Sequence, residues 1–271
     1  MKERTIRYEN VVNFLRTLND KDERFNFFLN ACKAEEFDLC EACLDAGMDI
    51  NDYYISEGNS LQCLIIYRNV TIETAEWLIN KGLNINFEYC GNTALNMACE
   101  YNNLEIAKYL IKKGAKITKF SKDKCKHVIT DLELAFFTEN VEFINLILES
   151  GSYTKNELTE ELGGLNRAVL DGRYEVAKLY LEFSRKYNLF PDFYDKQGRM
   201  AIHIAVFHSD EKMVKLLLEN NANPNAKIRS GSWYDKNFKV VTPMDIAILN
   251  ENEKIKNLLA LYGGKAYIKK S

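Results

Sequence analysis

The sequence predicts an all-α solenoid, an array of helix–turn–helix repeats with turn fingers that project between them. Small residues, with one leucine among them, recur every 33 to 42 positions. An apolar residue stands three places before each, and a second apolar stripe follows. Because two short helices leave an apolar face open, each repeat has to stack on a similar neighbour. The recurring positions are Ala31, Leu64, Ala98, Ala135, Ala168, Ala205 and Ala247.

Residues 91–117 form the most regular repeat of this array. Thr93 is suited to accept a backbone N–H at the start of a first helix. Ala98 and Leu110 lie on the apolar stripes of the first and second helices. Gly114 can enter the left-handed region cheaply, so it is predicted to end the second helix.

The N-terminal residues 1–23 are predicted to form a capping helix rather than a repeat. Val12, Leu15 and Leu18 recur at helical spacing, and this stripe can cover the open end of the first repeat. The remainder, 24–271, is predicted to be a single array of about seven repeats. Their approximate bounds are 24–53, 54–86, 87–119, 120–153, 154–191, 192–226 and 227–271.

Several repeats depart from this template, among them the fifth and the last. The fifth lacks a closing glycine, so its second helix is predicted to continue to Tyr187 and to end before Pro191. The pair Gly163–Gly164 is predicted to form the turn before its first helix. The last repeat opens with the longest insertion, residues 227–240, which carries several aromatic side chains.

The motifs of this array resemble those of the ankyrin repeat family. The segments TALNMA (93–98), MAIHIA (200–205) and TPMDIA (242–247) are similar to the family's T-P-L-H-x-A motif. Repeat ends such as AGMDIN (46–51) and NNANPNA (220–226) are similar to its G-A-D-x-N-A motif. The resemblance covers roughly residues 24 to 266. It implies a concave face, made of fingers and first helices, that binds partner proteins.

Composition and charge disfavour several other classes. The formal net charge of −3 gives no electrostatic reason to expect nucleic acid or an anionic membrane as a partner. A local basic strip, Lys119–Lys126, is the feature that would favour them. No apolar stretch approaches the length of a membrane helix or a signal peptide. The seven cysteines are interpreted as reduced core thiols of a cytoplasmic protein, although a secreted effector without a recognisable signal peptide stays open.

Nothing in the sequence indicates catalysis, a cofactor or a metal. Phosphate-binding glycine motifs, a zinc-binding H-E-x-x-H and a nucleophile elbow are all absent. Cys40 and Cys43 form a C-x-x-C without a second pair, which favours two core residues on one helix over a zinc or redox site. His203 occupies the histidine position of the family motif, where the resemblance implies hydrogen bonds that tie neighbouring loops together.

The sequence therefore predicts a non-catalytic protein that binds a folded partner protein through exposed side chains, and that is monomeric when unbound. Aromatic residues at interface positions supply large contact area and often dominate binding energy. The predicted partner-binding residues are Tyr53, Tyr54, Tyr67, Phe87, Tyr89, Glu100, Tyr101, Phe137, Phe207, His208, Trp233 and Tyr234.

Two narrower roles fit this class: a bacterial inhibitor or immunity-type protein, and an effector acting on a host protein. The sequence does not separate them. The alternative from another class is an enzyme or small-ligand sensor on the same scaffold, with its site in the 227–240 insertion or at His208. That alternative predicts a deep polar pocket with convergent titratable groups.

Overall fold

The computed structural model describes residues 2–54, 57–119, 130–151, 153–195, 198–229 and 240–267. The chain divides into two compact units, unit 1 (Met1–Ser152) and unit 2 (Tyr153–Ser271). Both units are mostly helical over the described residues, which confirms the predicted all-α class.

Unit 1 consists of an N-terminal helix followed by helical pairs. Its first elements are α1 (Lys2–Thr17), α2 (Lys21–Lys33), α3 (Phe37–Asp45), β1 (Tyr53–Tyr54), β2 (Gly58–Asn59), α4 (Ser60–Ile66) and α5 (Ile72–Asn80). The remaining ones are α6 (Ala94–Glu100), α7 (Leu104–Lys112), α8 (Asp131–Phe137) and α9 (Val141–Gly151).

Unit 2 repeats the same pairing after one additional helix. Its elements are α10 (Lys155–Glu161), α11 (Gly163–Leu170), α12 (Tyr174–Lys186), α13 (Ala201–Phe207), α14 (Glu211–Glu219), β3 (Ile228–Arg229), β4 (Val240–Val241), α15 (Pro243–Leu249) and α16 (Glu253–Leu261). The two strands of each unit pair antiparallel, Tyr53 with Asn59 and Ile228 with Val241.

Side-chain caps and left-handed residues set the ends of these helices. Thr93 accepts the backbone N–H of Asn96, and the Asn96 side chain accepts the Thr93 N–H, which satisfies two donors at the start of α6. Gly114 has a φ of +94° and follows Lys113, the C-cap residue of α7. The tight turn between α6 and α7 places Asn102 at a φ of +54°, a conformation that asparagine tolerates better than most residues.

Within each unit, first helices stack on first helices and second helices on second helices. In unit 1, α4 packs on α6 and α6 on α8, while α5 packs on α7 and α7 on α9. In unit 2, α13 packs between α11 and α15. Ala98, Ala135 and Ala168 are completely buried, so the recurring small residue permits this close packing of the first helices.

Polar side chains in the first turn of the first helices hold the finger of the next repeat. Gln62 Nε2 donates to the carbonyl of Asn92 at 2.9 Å, and Asn166 Nδ2 donates to that of Phe193 at 2.9 Å. His203 Nε2 lies 3.1 Å from the carbonyl oxygen of Ala226. The first two bonds are partly buried and that of His203 is fully buried. They satisfy finger carbonyls that packing shields from water, and the family motif's histidine position has the expected structural role.

The ends of the helical stacks are covered differently. Helix α1 packs against α3 and buries Val12 and Leu15, and the Tyr8 hydroxyl donates to Asp45 at 2.7 Å. In α16, Lys256 occupies the position at which α14 has the buried Val214. A charged residue there makes that face of α16 less apolar than the same face of α14.

Three local features differ from the sequence-based expectations. Helix α10 lies at the start of the fifth repeat, before its helical pair, and was not predicted. Gly163 and Gly164 are the first two residues of α11 instead of a turn before it. A Cβ on Gly164 would clash with the Tyr180 hydroxyl oxygen, so the close approach of this tyrosine favours glycine here. Helix α12 does continue past the usual length, but it ends at Lys186, and Tyr187 begins the turn.

Candidate functional site

The exposed fingers and first-helix ends form the candidate binding surfaces, and each unit has its own. Ten of the predicted partner-binding residues lie in the described part of the chain. Trp233 and Tyr234 lie outside it, as do residues 230–239 of the insertion and most of the Lys119–Lys126 strip.

Neighbouring fingers of unit 1 bring three aromatic rings together. The Tyr53 ring centroid lies 5.5 Å from that of Phe87 and 6.1 Å from that of Tyr89. Tyr53 is 45% exposed, while Phe87 and Tyr89 are half-buried. Contact between the rings fixes their positions, so the exposed part of Tyr53 is presented on a rigid base.

Tyr54 points the other way along the same strand, because side chains alternate in β-structure. Its ring meets that of Phe25 edge-on at a centroid distance of 4.7 Å, and its hydroxyl donates to the Asp22 carbonyl at 3.3 Å. The half-buried Tyr54 therefore contributes to packing between the finger and α2. Its predicted role in partner binding stays a prediction.

Tyr67 links a finger of unit 1 to the ends of the first helices. Its hydroxyl lies 2.6 and 2.7 Å from the two carboxylate oxygens of Glu57, and that hydrogen bond raises the pKa of Tyr67 to about 12. The ammonium nitrogen of Lys33 lies 4.4 Å from the centroid of the Tyr67 ring. Tyr67 is nevertheless 44% exposed, so its ring can contact a partner in addition to its cation–π contact with Lys33.

The other predicted helix-end residues of unit 1 vary in exposure. Glu100, the last residue of α6, is exposed, and the adjacent Tyr101 is half-buried. Phe137, the last residue of α8, is also half-buried. These positions follow the fully buried Ala98 and Ala135 by two or three residues, so the scaffold places them where the helix leaves the core.

Unit 2 presents a row of large apolar residues at equivalent positions. The last residues of α11, α13 and α15 are Leu170, Phe207 and Leu249, with exposures of 38%, 37% and 41%. These three residues are called the apolar row below. Phe207 is among the residues predicted from the sequence, but the two leucines are not, although they occupy the last position of a first helix just as Phe207 does.

His208 follows the apolar row and is exposed. Its ring meets that of Phe207 edge-on at a centroid distance of 5.2 Å. In the adjacent repeat, Asn250 Nδ2 donates to the Phe207 carbonyl at 3.2 Å, which fixes the end of α13 against that of α15. A histidine beside an exposed phenylalanine can supply a hydrogen bond at the edge of an apolar contact.

The titratable groups of the core are arranged for packing. Burial lowers the pKa of His203 to about 4, so the ring is neutral near pH 7. Cys32 and Cys40 are fully buried with their sulfurs 3.6 Å apart, so the structure pairs Cys40 with Cys32 across two helices. Burial also raises the pKa values of Cys43 and Cys63 to about 12, which makes these thiols poor nucleophiles.

The described residues contain neither a metal-binding cluster nor a membrane-spanning helix. Within the described ranges, no group of three or more histidine, cysteine, aspartate or glutamate side chains could hold a metal ion. No helix among the described residues is both long enough and apolar enough to cross a bilayer.

Comparison with known proteins gave consistent matches along the chain. The family model described as ankyrin repeats (3 copies) matches residues 8–121, 132–228 and 165–270. Alpha-latrotoxin-Lg1a of Latrodectus geometricus is 26% identical over 155 residues, which cover 57% of this chain and 10% of the toxin. The ankyrin repeat protein FPV223 of fowlpox virus is 27% identical over 139 residues, covering 50% of this chain and 89% of the viral protein.

The fold is shared with solved structures. The ankyrin repeat domain of human ASB11 superposes with a TM-score of 0.61 at 18% identity, covering 88% of this chain and 98% of that domain. Since identity is low, this likeness establishes the fold alone. The chain spans only a tenth of the length of the spider toxin, so the toxin as a whole provides no assignment of function.

Proposed function

This chain belongs to the ankyrin repeat family, and from that premise we propose that it binds a folded partner protein through its exposed fingers and first-helix ends. Ankyrin repeats generally mediate protein–protein interaction, and members of the family are typically non-enzymatic. Such a surface is held by the packed core and needs little ordering on binding, which lowers the entropic cost of association.

The observation that carries the proposal is the apolar row of unit 2. Single exposed apolar residues are common and need no explanation, but large ones at equivalent positions of consecutive repeats form a patch. Helix α13 packs directly on α11 and on α15, so Leu170, Phe207 and Leu249 are neighbours along the stack. Because the repeats are regularly spaced, the exposed apolar side chains of the row are regularly spaced too.

The narrower role is that of a binding protein that acts by occupying its partner's surface, as an inhibitor or immunity-type protein does, or as an effector on a host protein. A rigid recognition surface suits both. The six free cysteines among the described residues support a reducing compartment such as the cytoplasm. We further propose that the unbound protein is a monomer, which light scattering at several protein concentrations would test.

The test is affinity capture from the source organism with the full chain as bait. The variant Phe207→Ser with Leu249→Ser removes two members of the apolar row, and we expect at least a tenfold loss of the captured partner, as hot-spot residues produce. The matched control is Phe190→Ser with Leu261→Ser, which removes two exposed apolar side chains outside the row. Equal recovery of the same partner by both variants would contradict the proposal.

A further inference from the structure

The first repeats of unit 1 carry a strongly acidic charge that the rest of the chain does not share. Residues 20–105 contain 16 acidic and 5 basic residues, whereas the whole chain has a net charge of −3. Of those basic residues, Lys21 pairs with Asp52 and Lys81 with Glu41. Two lysines outside this segment also pair with its acidic residues, Lys108 with Glu105 and Lys113 with Glu76. Acidic residues nevertheless outnumber basic ones by 11 within the segment.

Part of this charge lies beside exposed aromatic rings on the fingers and first-helix ends. Glu57 accepts a hydrogen bond from Tyr67, but a phenol does not neutralise its charge. Glu88 is exposed between Phe87 and Tyr89, whose rings contact Tyr53. Glu100 is exposed at the end of α6, which packs on α4, the helix that Tyr67 follows. The acidic finger face is defined here as Tyr53, Glu57, Tyr67, Glu88, Tyr89 and Glu100.

Carboxylates next to aromatic rings favour one class of ligand group. A guanidinium pairs with a carboxylate through two parallel hydrogen bonds and stacks on an aromatic face at the same time. An ammonium group makes the same two contacts less specifically. The chain already contains an internal example, because Lys33 lies over the Tyr67 ring whose hydroxyl Glu57 holds.

We propose that the acidic finger face of unit 1 binds an arginine- and lysine-rich segment of a partner protein. The inference rests on the proposed protein-binding function but assigns a different surface, in a different unit, from the apolar row. In this arrangement Lys33 occupies one of the cation positions, and the exposed ring of Tyr53 with Glu88 offers another. The negative charges of this face attract the basic segment, and the rings bind its side chains once it has docked.

The experiment measures fluorescence anisotropy of a labelled octapeptide of alternating arginine and serine, titrated with the full chain. A peptide of alternating glutamate and serine is the ligand control. At about 50 mM salt we expect the arginine peptide alone to bind, with affinity falling several-fold at about 300 mM salt because exposed charges are screened. Equal binding of both peptides, or none of the arginine peptide, would overturn the proposal.

Matched variants distinguish binding at the acidic finger face from attraction of the peptide by the net charge of unit 1. The variant Glu57→Gln, Glu88→Gln and Glu100→Gln should weaken the arginine peptide about tenfold, as expected for the loss of three exposed ion pairs. The control Glu73→Gln, Glu105→Gln and Glu142→Gln removes the same charge from the starts of second helices and should change affinity less than about twofold. Equal losses in both would show attraction by net charge alone and overturn the site.

Two further variants give effects of opposite sign. Tyr53→Leu keeps an apolar side chain but removes the aromatic face, so it should weaken peptide binding. Lys33→Gln removes the internal cation over Tyr67 and should strengthen it, whereas Lys108→Gln, an equal charge change on α7, should have less effect. A strengthening that is the same for both lysine variants would contradict a direct role of the Tyr67 ring.

Failure of peptide binding can be distinguished from failure of the proposed function, because the two use different surfaces. Phe207→Ser with Leu249→Ser should leave the arginine peptide's affinity unchanged, even if it abolishes partner capture. Light scattering at low salt tests the rival occupant, a second copy of this chain with its own basic residues. A dimer that the arginine peptide fails to dissociate would show that the face is not free for such a segment, and would overturn the proposal.

Discussion

His203 makes the stability of the fold dependent on pH. The ring is completely buried in α13 and lies 3.1 Å from the Ala226 carbonyl in the next finger. Burial lowers its pKa from 6.5 to about 4, against the opposing effects of the Ala226 and Val241 backbone and the Asp245 carboxylate. The unfolded chain binds the proton of His203 more readily than the folded chain does. The contribution of His203 to the free energy of unfolding is therefore fully present above pH 6.5 and is lost as the pH falls toward 4.

The magnitude follows from the two pKa values. Between pH 7.5 and pH 5, a folded pKa of about 4 against an unfolded value of 6.5 lowers the free energy of unfolding by about 2 kcal/mol. Carboxylates also titrate in this range, so the effect has to be read as a difference between variants. Urea denaturation followed by circular dichroism at the two pH values provides the free energies.

His203→Gln is the variant that isolates this contribution. The chain already uses glutamine at the same helix position, where Gln62 donates to a finger carbonyl, so the hydrogen bond to Ala226 can be kept without a titrating ring. We expect the variant to lose about 2 kcal/mol less than the wild type between pH 7.5 and pH 5. His208→Gln, at an exposed position, should keep the wild-type difference. An unchanged pH dependence in His203→Gln would refute the reasoning.

Three other outcomes are expected from packing and burial. Gly164→Ala should lower the free energy of unfolding by roughly 1–3 kcal/mol, because its Cβ would meet the Tyr180 hydroxyl, whereas Gly163→Ala meets no atom within 4 Å and should be neutral or stabilising in urea denaturation. Ala98→Leu should cost a similar 1–3 kcal/mol by overpacking the first helices, and a wild-type denaturation curve would contradict the repeat alignment. Iodoacetamide should label Cys90 rapidly and the other five described cysteines only on unfolding, so rapid labelling of Cys63 in peptide mapping would show that its burial is wrong.

The helical pairs could be predicted because their determinants are local. Thr93 caps α6, Gly114 ends α7, and the fully buried Ala98 and Leu110 lie on the apolar stripes that the sequence displays. Each of these residues acts within a few positions of itself, so one repeat predicts the next. Stacking then follows from the apolar faces left open by every pair.

Features that depend on contacts between distant residues could not be predicted in this way. Helix α10 has no apolar stripe in its sequence, since its buried residues are only Leu158 and Glu161. Hydrophobic periodicity therefore could not predict this helix. Gly164 reads as a turn residue until the approach of Tyr180 is known. The Cys32–Cys40 contact likewise joins two helices, whereas spacing alone drew attention to Cys40 and Cys43.

The residue types of the candidate surfaces could be predicted from the sequence, but their exposure could not. Aromatic residues at fingers and helix ends stand out in the sequence, but their exposure depends on the neighbouring repeat. Tyr53 and Tyr54 are adjacent, yet one is 45% exposed and the other packs on Phe25. Leu170 and Leu249 look like core residues by type, and only their place after the last buried turn makes them surface residues.

If the repeats present exposed side chains to a partner protein, those side chains become inaccessible in the complex, and footprinting of the complex measures this. The captured partner would be bound to the full chain, and hydroxyl-radical labelling of each side chain would be compared with that of the free protein. We expect Leu170, Phe207 and Leu249 to be labelled less in the complex than in the free protein. Phe190 and Leu261 should be labelled equally in both. Protection of Phe190 and Leu261 with an unprotected Phe207 would contradict it.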